Sequence, residues 1–204
     1  KSFVYCLHNV CQEVEVIGTS TLVEIRWHGR GGQGAVTSAE LLAKAAIDEG
    51  KYAQAFPSFG PERRGAPVLA FDRIDEKEQI RVRAGITEPD AVVVLDSGLI
   101  SIVNVAEGLK EGGVIVVNTK KSLEEITGEF GGKWRLGVVN ATGIAREILG
   151  VNIVNTTMLG ALIRVTGIVK LESLNEPLEA RFGRLAERNT NAMKKAFEET
   201  KVKE

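Results

Sequence analysis

Glycine, a guanidinium and an amide gather at Gly29-Arg30-Gly31-Gly32-Gln33-Gly34, between an apolar run and a helical pattern. Gly29, Gly31 and Gly34 satisfy G-x-G-x-x-G. That spacing lets backbone N–H groups meet a phosphate at a helix N-terminus. Arg30 and Gln33 project from the turn and add a charge and an amide. A dinucleotide site of this kind also needs an acidic residue at the end of the second strand, to hold the ribose. Here that strand ends Gln54-Ala55-Phe56-Pro57 with no carboxylate, and Glu62 comes only later. The motif therefore reads first as a tight strand-to-helix turn that touches an anion or a partner. NAD or FAD binding is the alternative. The candidate binding residues are Gly29, Arg30, Gly31, Gly32, Gln33 and Gly34.

A second constellation is the stretch 57–67, where three prolines and two glycines restrict the backbone around Phe59, Arg63 and Arg64. A stiff loop carrying an aromatic ring and two guanidinium groups suits docking, or gripping an anion. The plainer reading is a solvated turn. Arg63 and Arg64 join the candidate binding residues. The run Asn155-Thr156-Thr157-Met158-Leu159-Gly160-Ala161 offers a helix cap at Asn155 or Thr156 and small residues for a close helix approach. Packing accounts for it, with an interface role as the other reading. Polar residues at strand ends, Asp96-Ser97, Asn118-Thr119 and Asn140-Ala141-Thr142, lie where open α/β sheets bind ligands. Helix capping is their commoner use.

No catalytic set assembles from this chain. His8 and His28 are the two histidines, without metal-ligand spacing. Nothing visible orients His28 as a base, so it reads as a structural hydrogen-bonding residue. The two cysteines, Cys6 and Cys11, lie ahead of the organised pattern. A [4Fe–4S] cluster needs four thiolates, so the chain cannot hold one alone. Neither a G-x-S-x-G elbow nor a P-loop lysine is present. A formal net charge of -1 over 204 residues gives no general attraction to nucleic acid. No apolar run is long enough to span a bilayer, and no small-residue cleavage site follows the apolar stretch at 1–10. A cytoplasmic protein is expected.

The elements that must position these groups follow from periodicity. Residues 22–28 alternate as a strand, the glycine turn follows, and 35–49 form a helix ended by Gly50. A strand is predicted at 52–56. A hairpin of 68–74 with 79–83, around Asp75-Glu76-Lys77, predicts antiparallel strands in the sheet. Residues 91–95, 114–117 and 136–139 read as buried strands. Helices are expected at 99–109, 123–127, 141–149, 156–166, 171–182 and 185–200. The fold class is α/β, a three-layer Rossmann-like domain with a mixed, mostly parallel sheet and C-terminal helices. Residues 1–20 read as an N-terminal extension and 21–204 as a single domain.

Four ordered blocks carry a family resemblance from about Val23 to the end: Arg26-Trp27-His28-Gly29-Arg30-Gly31-Gly32-Gln33-Gly34-Ala35, the segment 54–67, Pro89-Asp90-Ala91-Val92-Val93-Val94-Leu95-Asp96, and Asn155-Thr156-Thr157-Met158-Leu159-Gly160-Ala161. The chain resembles the γ subunit of pyruvate:ferredoxin oxidoreductase and its 2-oxoacid relatives. The resemblance implies an assembly that converts a 2-oxoacid and coenzyme A to acyl-CoA, carbon dioxide and reduced ferredoxin. It implies thiamine diphosphate with Mg2+ and [4Fe–4S] clusters on the α, β and δ subunits, and ferredoxin as electron acceptor. The γ chain would hold none of these alone. It would pack on the other subunits and help shape the coenzyme A entrance, inactive by itself, with no nucleic acid or membrane partner. An isolated chain could pair with a second copy of itself. Pyruvate is the first choice of substrate, with 2-oxoisovalerate next. A stand-alone NAD/FAD-binding oxidoreductase and a purely structural assembly subunit are the other readings.

Arg30, Arg63 and Arg64 would then supply positive charge to coenzyme A or to a neighbouring subunit. A double R63A/R64A variant should raise the Michaelis constant for coenzyme A or dissociate the complex. Unchanged kinetics together with unchanged assembly would remove that role.

Overall fold

The alternation at the start of the pattern forms β1 (Leu22–Arg30), which runs two residues further than predicted, into the glycine motif. Ile25 and Trp27 point to one face of the sheet and Arg26 and His28 to the other, yet all four are buried. Both faces of the sheet must therefore be covered. The computed structural model describes residues 21–58 and 65–203.

After β1 come α1 (Ala35–Asp48), β2 (Tyr52–Pro57) and β3 (Pro67–Asp75). The chain then crosses to the other side of β1 with β4 (Ala91–Val94), β5 (Val114–Asn118), α2 (Leu123–Phe130) and β6 (Arg135–Val139). The helices α3 (Ala141–Leu149), α4 (Asn155–Thr166), α5 (Asn175–Phe182) and α6 (Ala186–Glu199) follow, and β7 (Lys201–Lys203) ends the described chain. The strands make one sheet, in the order β2-β3-β1-β4-β5-β6-β7. β1, β4, β5 and β6 are parallel, while β3 runs antiparallel to β1 and β2, and β7 to β6. This is the mixed, mostly parallel α/β sheet that the sequence implied.

The layers explain the apolar strands. Ala91, Val93, Val114 and Val116 face a core completed by Leu42 of α1, Ile144 of α3, Leu159 and Leu162 of α4, and Met193 of α6. Val92, Val94, Ile115 and Val117 face a second core, with Leu99, Val105 and Ile126. Strands buried on both faces cannot alternate with polar residues, so they read as unbroken apolar runs. One polar pair sits inside the first layer, where Trp27 Nε1 donates to Asp72 Oδ2 (2.6 Å). Burial pushes the Asp72 carboxyl well up, against the smaller opposing effect of the Trp27 hydrogen bond.

Three expectations are corrected. The predicted hairpin does not form, because β3 is paired along one edge by β1 and along the other by β2. No edge remains for 79–83, which run as coil, and the Val82 carbonyl accepts from Arg73 Nη1 (3.2 Å). The helix expected at 99–109 is a 3-10 turn, Ser97–Leu99, followed by loose turns. Ile100, Ile102, Val103 and Val105 are β-branched and weak helix formers. The Val105 and Glu107 carbonyls accept from Arg26 Nη2 instead of helix amides. The stretch 171–182 divides into a 3-10 turn, Leu171–Leu174, and α5. Pro177 has no N–H to donate four residues back, and sits without conflict in the first turn of a new helix. The short β7 carried no apolar signal and was not expected.

Gly160 sets the closest helix contact. A Cβ built there would lie 2.0 Å from the Met193 carbonyl oxygen, so α4 and α6 can meet only because the hydrogen is all that stands between them. Gly160→Ala should therefore destabilise the fold by about 1–3 kcal/mol, as overpacking of a close-packed core does. A thermal unfolding midpoint equal to that of the parent would contradict this contact.

Candidate functional site

Connections leave β1 toward β2 and β3 on one side, and enter β4 on the other. The sheet thus changes winding direction between β1 and β4, at the end where open α/β sheets place their ligands. The glycine turn stands at this point. Among its glycines, Gly32 and Gly34 have positive φ, 94° and 82°, whereas Gly29 continues the strand.

Arg30 and Gln33 do not project freely, as the sequence suggested. Arg30 Nε donates to Asp96 Oδ2 at 2.8 Å, and Gln33 Nε2 donates to the same oxygen at 3.2 Å. Gln33 Oε1 accepts from the Arg30 backbone N–H at 2.8 Å, and the Gly98 N–H donates to Asp96 Oδ1 at 2.9 Å. Burial pushes the Asp96 carboxyl up, but the bonds from Arg30, Gly98 and Gln33 outweigh it and hold it below the usual carboxylate range. The turn is therefore closed by an internal ion pair whose two side chains are each 28% exposed.

The same turn is tied to the end of the proline loop. Gly31 N donates to Ala66 O (3.1 Å), Arg30 Nη1 donates to Gly65 O (3.1 Å), and Arg30 pairs with Pro67 across the strands. The two loops singled out in the sequence thus share one rim. Arg63 and Arg64 lie outside the described residues.

Asn155 serves differently from expectation. Val154 holds the N-cap position of α4, while Asn155 Oδ1 accepts from the Thr156 N–H in the first turn (2.8 Å). The Asn155 amide presses on Gly34, with Nδ2 only 2.9 Å from where a Cβ would stand. Ser38 Oγ adds bonds to the Gly34 and Asn155 carbonyls. Gly34 is thus required both for its left-handed φ and for space. Thr156, the other candidate cap, donates instead to Asn189 Oδ1 (2.9 Å).

The other strand-end polar groups are spent on structure. Asn118 Nδ2 donates to Leu95 O and Thr142 Oγ1, while Asn118 Oδ1 accepts from Thr142 N. Asn140 caps α3 through Gly143 N (3.0 Å). His28 accepts from Arg26 Nε at Nε2 (3.0 Å), a structural hydrogen bond in the middle of β1.

Sequence reasoning missed what binds Asp96, and it missed the pair Arg26 and His28. The signal for that pair was present: two polar residues two apart in a strand whose other face is apolar.

A ribose-binding carboxylate has no seat in this topology. The strand beside β1 on that side is the antiparallel β3, and β2 lies one position further out. Among the described residues no cluster of three or more His, Cys, Asp or Glu side chains could hold a metal ion. No helix among them is long and apolar enough to cross a membrane.

Fold and rim together define a Rossmann-like α/β module whose glycine turn is locked by side chains. Residues 24–199 match the family described as pyruvate ferredoxin/flavodoxin oxidoreductase. Over 185 residues the chain is 56% identical to the pyruvate/ketoisovalerate oxidoreductases common subunit gamma of Thermococcus kodakarensis, covering 90% of this chain and 100% of the relative. The crystal structure of pyruvate oxidoreductase subunit PORC from Thermotoga maritima superposes with a TM-score of 0.80 at 43% identity, covering 90% of this chain and 99% of that one. The gamma subunit of a keto/oxoacid ferredoxin oxidoreductase from Geobacter sulfurreducens gives a TM-score of 0.66 at 28% identity, covering 87% and 97%. The chain belongs to the pyruvate ferredoxin/flavodoxin oxidoreductase family, as a gamma-type subunit of a multi-subunit enzyme.

The Arg30–Asp96–Gln33 lock makes its own prediction. Asp96→Ala should cost about 1 kcal/mol of stability, the range for a partly exposed charged hydrogen bond. It should also speed hydrogen exchange at the Gly31 and Gln33 amides, which bond Ala66 and Arg30 carbonyls. Because the folded Asp96 carboxyl is depressed, its contribution is complete above the ordinary carboxylate range and is lost as pH falls through the folded value. Parent-like exchange at both amides would show that the turn is held by other means.

Proposed function

We propose that the chain is the gamma component of an enzyme that converts a 2-oxoacid and coenzyme A to acyl-CoA, carbon dioxide and reduced ferredoxin. It acts by packing against α, β and δ subunits rather than by turning over substrate itself. Thiamine diphosphate with Mg2+ and the [4Fe–4S] clusters reside on those partners. The chain's own residues do not suit them: two cysteines cannot supply the four thiolates of a cluster. The observation that carries the reading is the 56% identity over the whole length of a gamma subunit.

In this reading the rim at the glycine and proline loops faces the assembly. Arg30 is already neutralised by Asp96, so it supports the loop more than it grips a ligand. Arg63 and Arg64 then carry the positive charge toward coenzyme A or a neighbouring subunit. Pyruvate is the favoured substrate and 2-oxoisovalerate the next. Residues 1–20 form an extension and the rest one domain, working in the cytoplasm.

Isolation of the tagged chain from its native host, with companions identified by mass spectrometry, tests the proposal. Co-purification of thiamine- and cluster-bearing subunits is expected, with pyruvate-dependent ferredoxin reduction in the complex and none by the chain alone. Turnover by the isolated chain with a cofactor of its own, or stoichiometric NAD binding, would sink the reading.

A further inference from the structure

Arg26 and His28 share the face of β1 turned away from α1, and each is only 6% exposed. Both line a cleft of about 580 Å3, whose apolar wall is Val68, Leu69, Ile86 and Val103. The donors of Arg26 are only partly used. Nε donates to His28 Nε2 at 3.0 Å, and Nη2 donates to the Val105 and Glu107 carbonyls. Nη1 has no acceptor among the described residues. Nor does any carboxylate among them form an ion pair with this guanidinium. Among the described residues the negative charge that acts on Arg26 is the Glu107 side chain, on the exposed rim of the same cleft.

His28 is fixed by its neighbour. A guanidinium only donates, so Nε2 must accept and the proton must sit on Nδ1. Burial first, and the Arg26 charge second, lower the imidazole pKa to about 4, which keeps the ring neutral at neutral pH. Nδ1–H has no acceptor among the described residues either. Two donors, one on a cation, are thus left without an acceptor among the described residues, beside a cavity whose described lining holds one carboxylate, Glu107, at its exposed rim. A buried cation lacking a counter-charge is costly, and so is a donor lacking an acceptor.

We propose that this cleft is a binding site for a carboxylate on an apolar body, with Arg26 Nη1 and His28 Nδ1 as its donors and the Val68–Leu69–Ile86–Val103 wall against its hydrocarbon. The site favours a monoanion. It holds one cation, and Glu107 at the rim would repel the second charge of a phosphate. The carboxylate has two sources, a small organic acid or an acidic side chain of another subunit. Only the second depends on the multi-subunit reading.

The full chain carries two histidines, so 15N-histidine labelling plus a His8→Gln variant assigns the ring nitrogens of His28. Titration with butyrate should give a saturable shift at His28 Nδ1, and 1-butanol should give none. Glu107→Gln removes a like charge using only an exposed side chain, and should tighten butyrate by about two- to fivefold. In the assembled complex, a persisting butyrate shift identifies a free acid as the ligand. A His28 nitrogen already shifted and insensitive to butyrate identifies a subunit's side chain. The proposal is overturned if the chain shows no saturable shift, if 1-butanol matches butyrate, if inorganic phosphate binds more tightly, or if Glu107→Gln leaves the affinity unchanged.

Discussion

Everything else in the fold is arranged around the saturation of both edges of β1. β3 pairs with it antiparallel from Leu22 to Arg30, and β4 pairs with it parallel from Ile25 to His28. A strand with two full edges can accept no further partner. It forces β2 outward onto the far edge of β3, so that β3 has no edge left for 79–83, and makes the β1–β4 boundary the place where the winding reverses. The glycine turn emerges at that boundary. Its position follows from strand pairing before any chemistry of the turn is considered.

The same pairing gives the two faces of β1 different work. One face buries Ile25 and Trp27 under α1 and α4, with Asp72 held by the indole N–H. The other buries Arg26 and His28 under the turns that follow β4. Those turns are not a helix partly because the Arg26 guanidinium takes two of their carbonyls. A single buried cation thus shapes the covering segment and leaves a cleft beside it.

A Rossmann-like opening is commonly associated with dinucleotide binding, and this chain shows why the motif alone does not define the ligand. Arg30, Gln33 and Asp96 satisfy one another, and the Asn155 amide fills the space over Gly34. With β3 antiparallel beside β1, the strand that would present a ribose-binding carboxylate is displaced by one position. The turn serves as a rigid rim in a gamma-type subunit of the pyruvate ferredoxin/flavodoxin oxidoreductase family.

Local sequence determined a good deal. Unbroken apolar runs at 91–94 and 114–117 marked strands covered on both faces, and 141–149 was a helix bounded by Asn140 and Gly150. Four short blocks sufficed to indicate the family. The sequence also made clear that two cysteines cannot hold a four-thiolate cluster. Decisions that depend on which edges and faces are already occupied were taken by the tertiary structure. Whether 68–74 pairs forward or backward depends on the competition for its edges. Whether Arg30 is free or neutralised depends on Asp96, sixty-six positions away. Whether the Asn155 amide also packs on Gly34 depends on how α4 meets α1. Periodicity and propensity describe a residue's neighbours along the chain, whereas hydrogen-bond saturation and steric exclusion act between segments brought together only by folding.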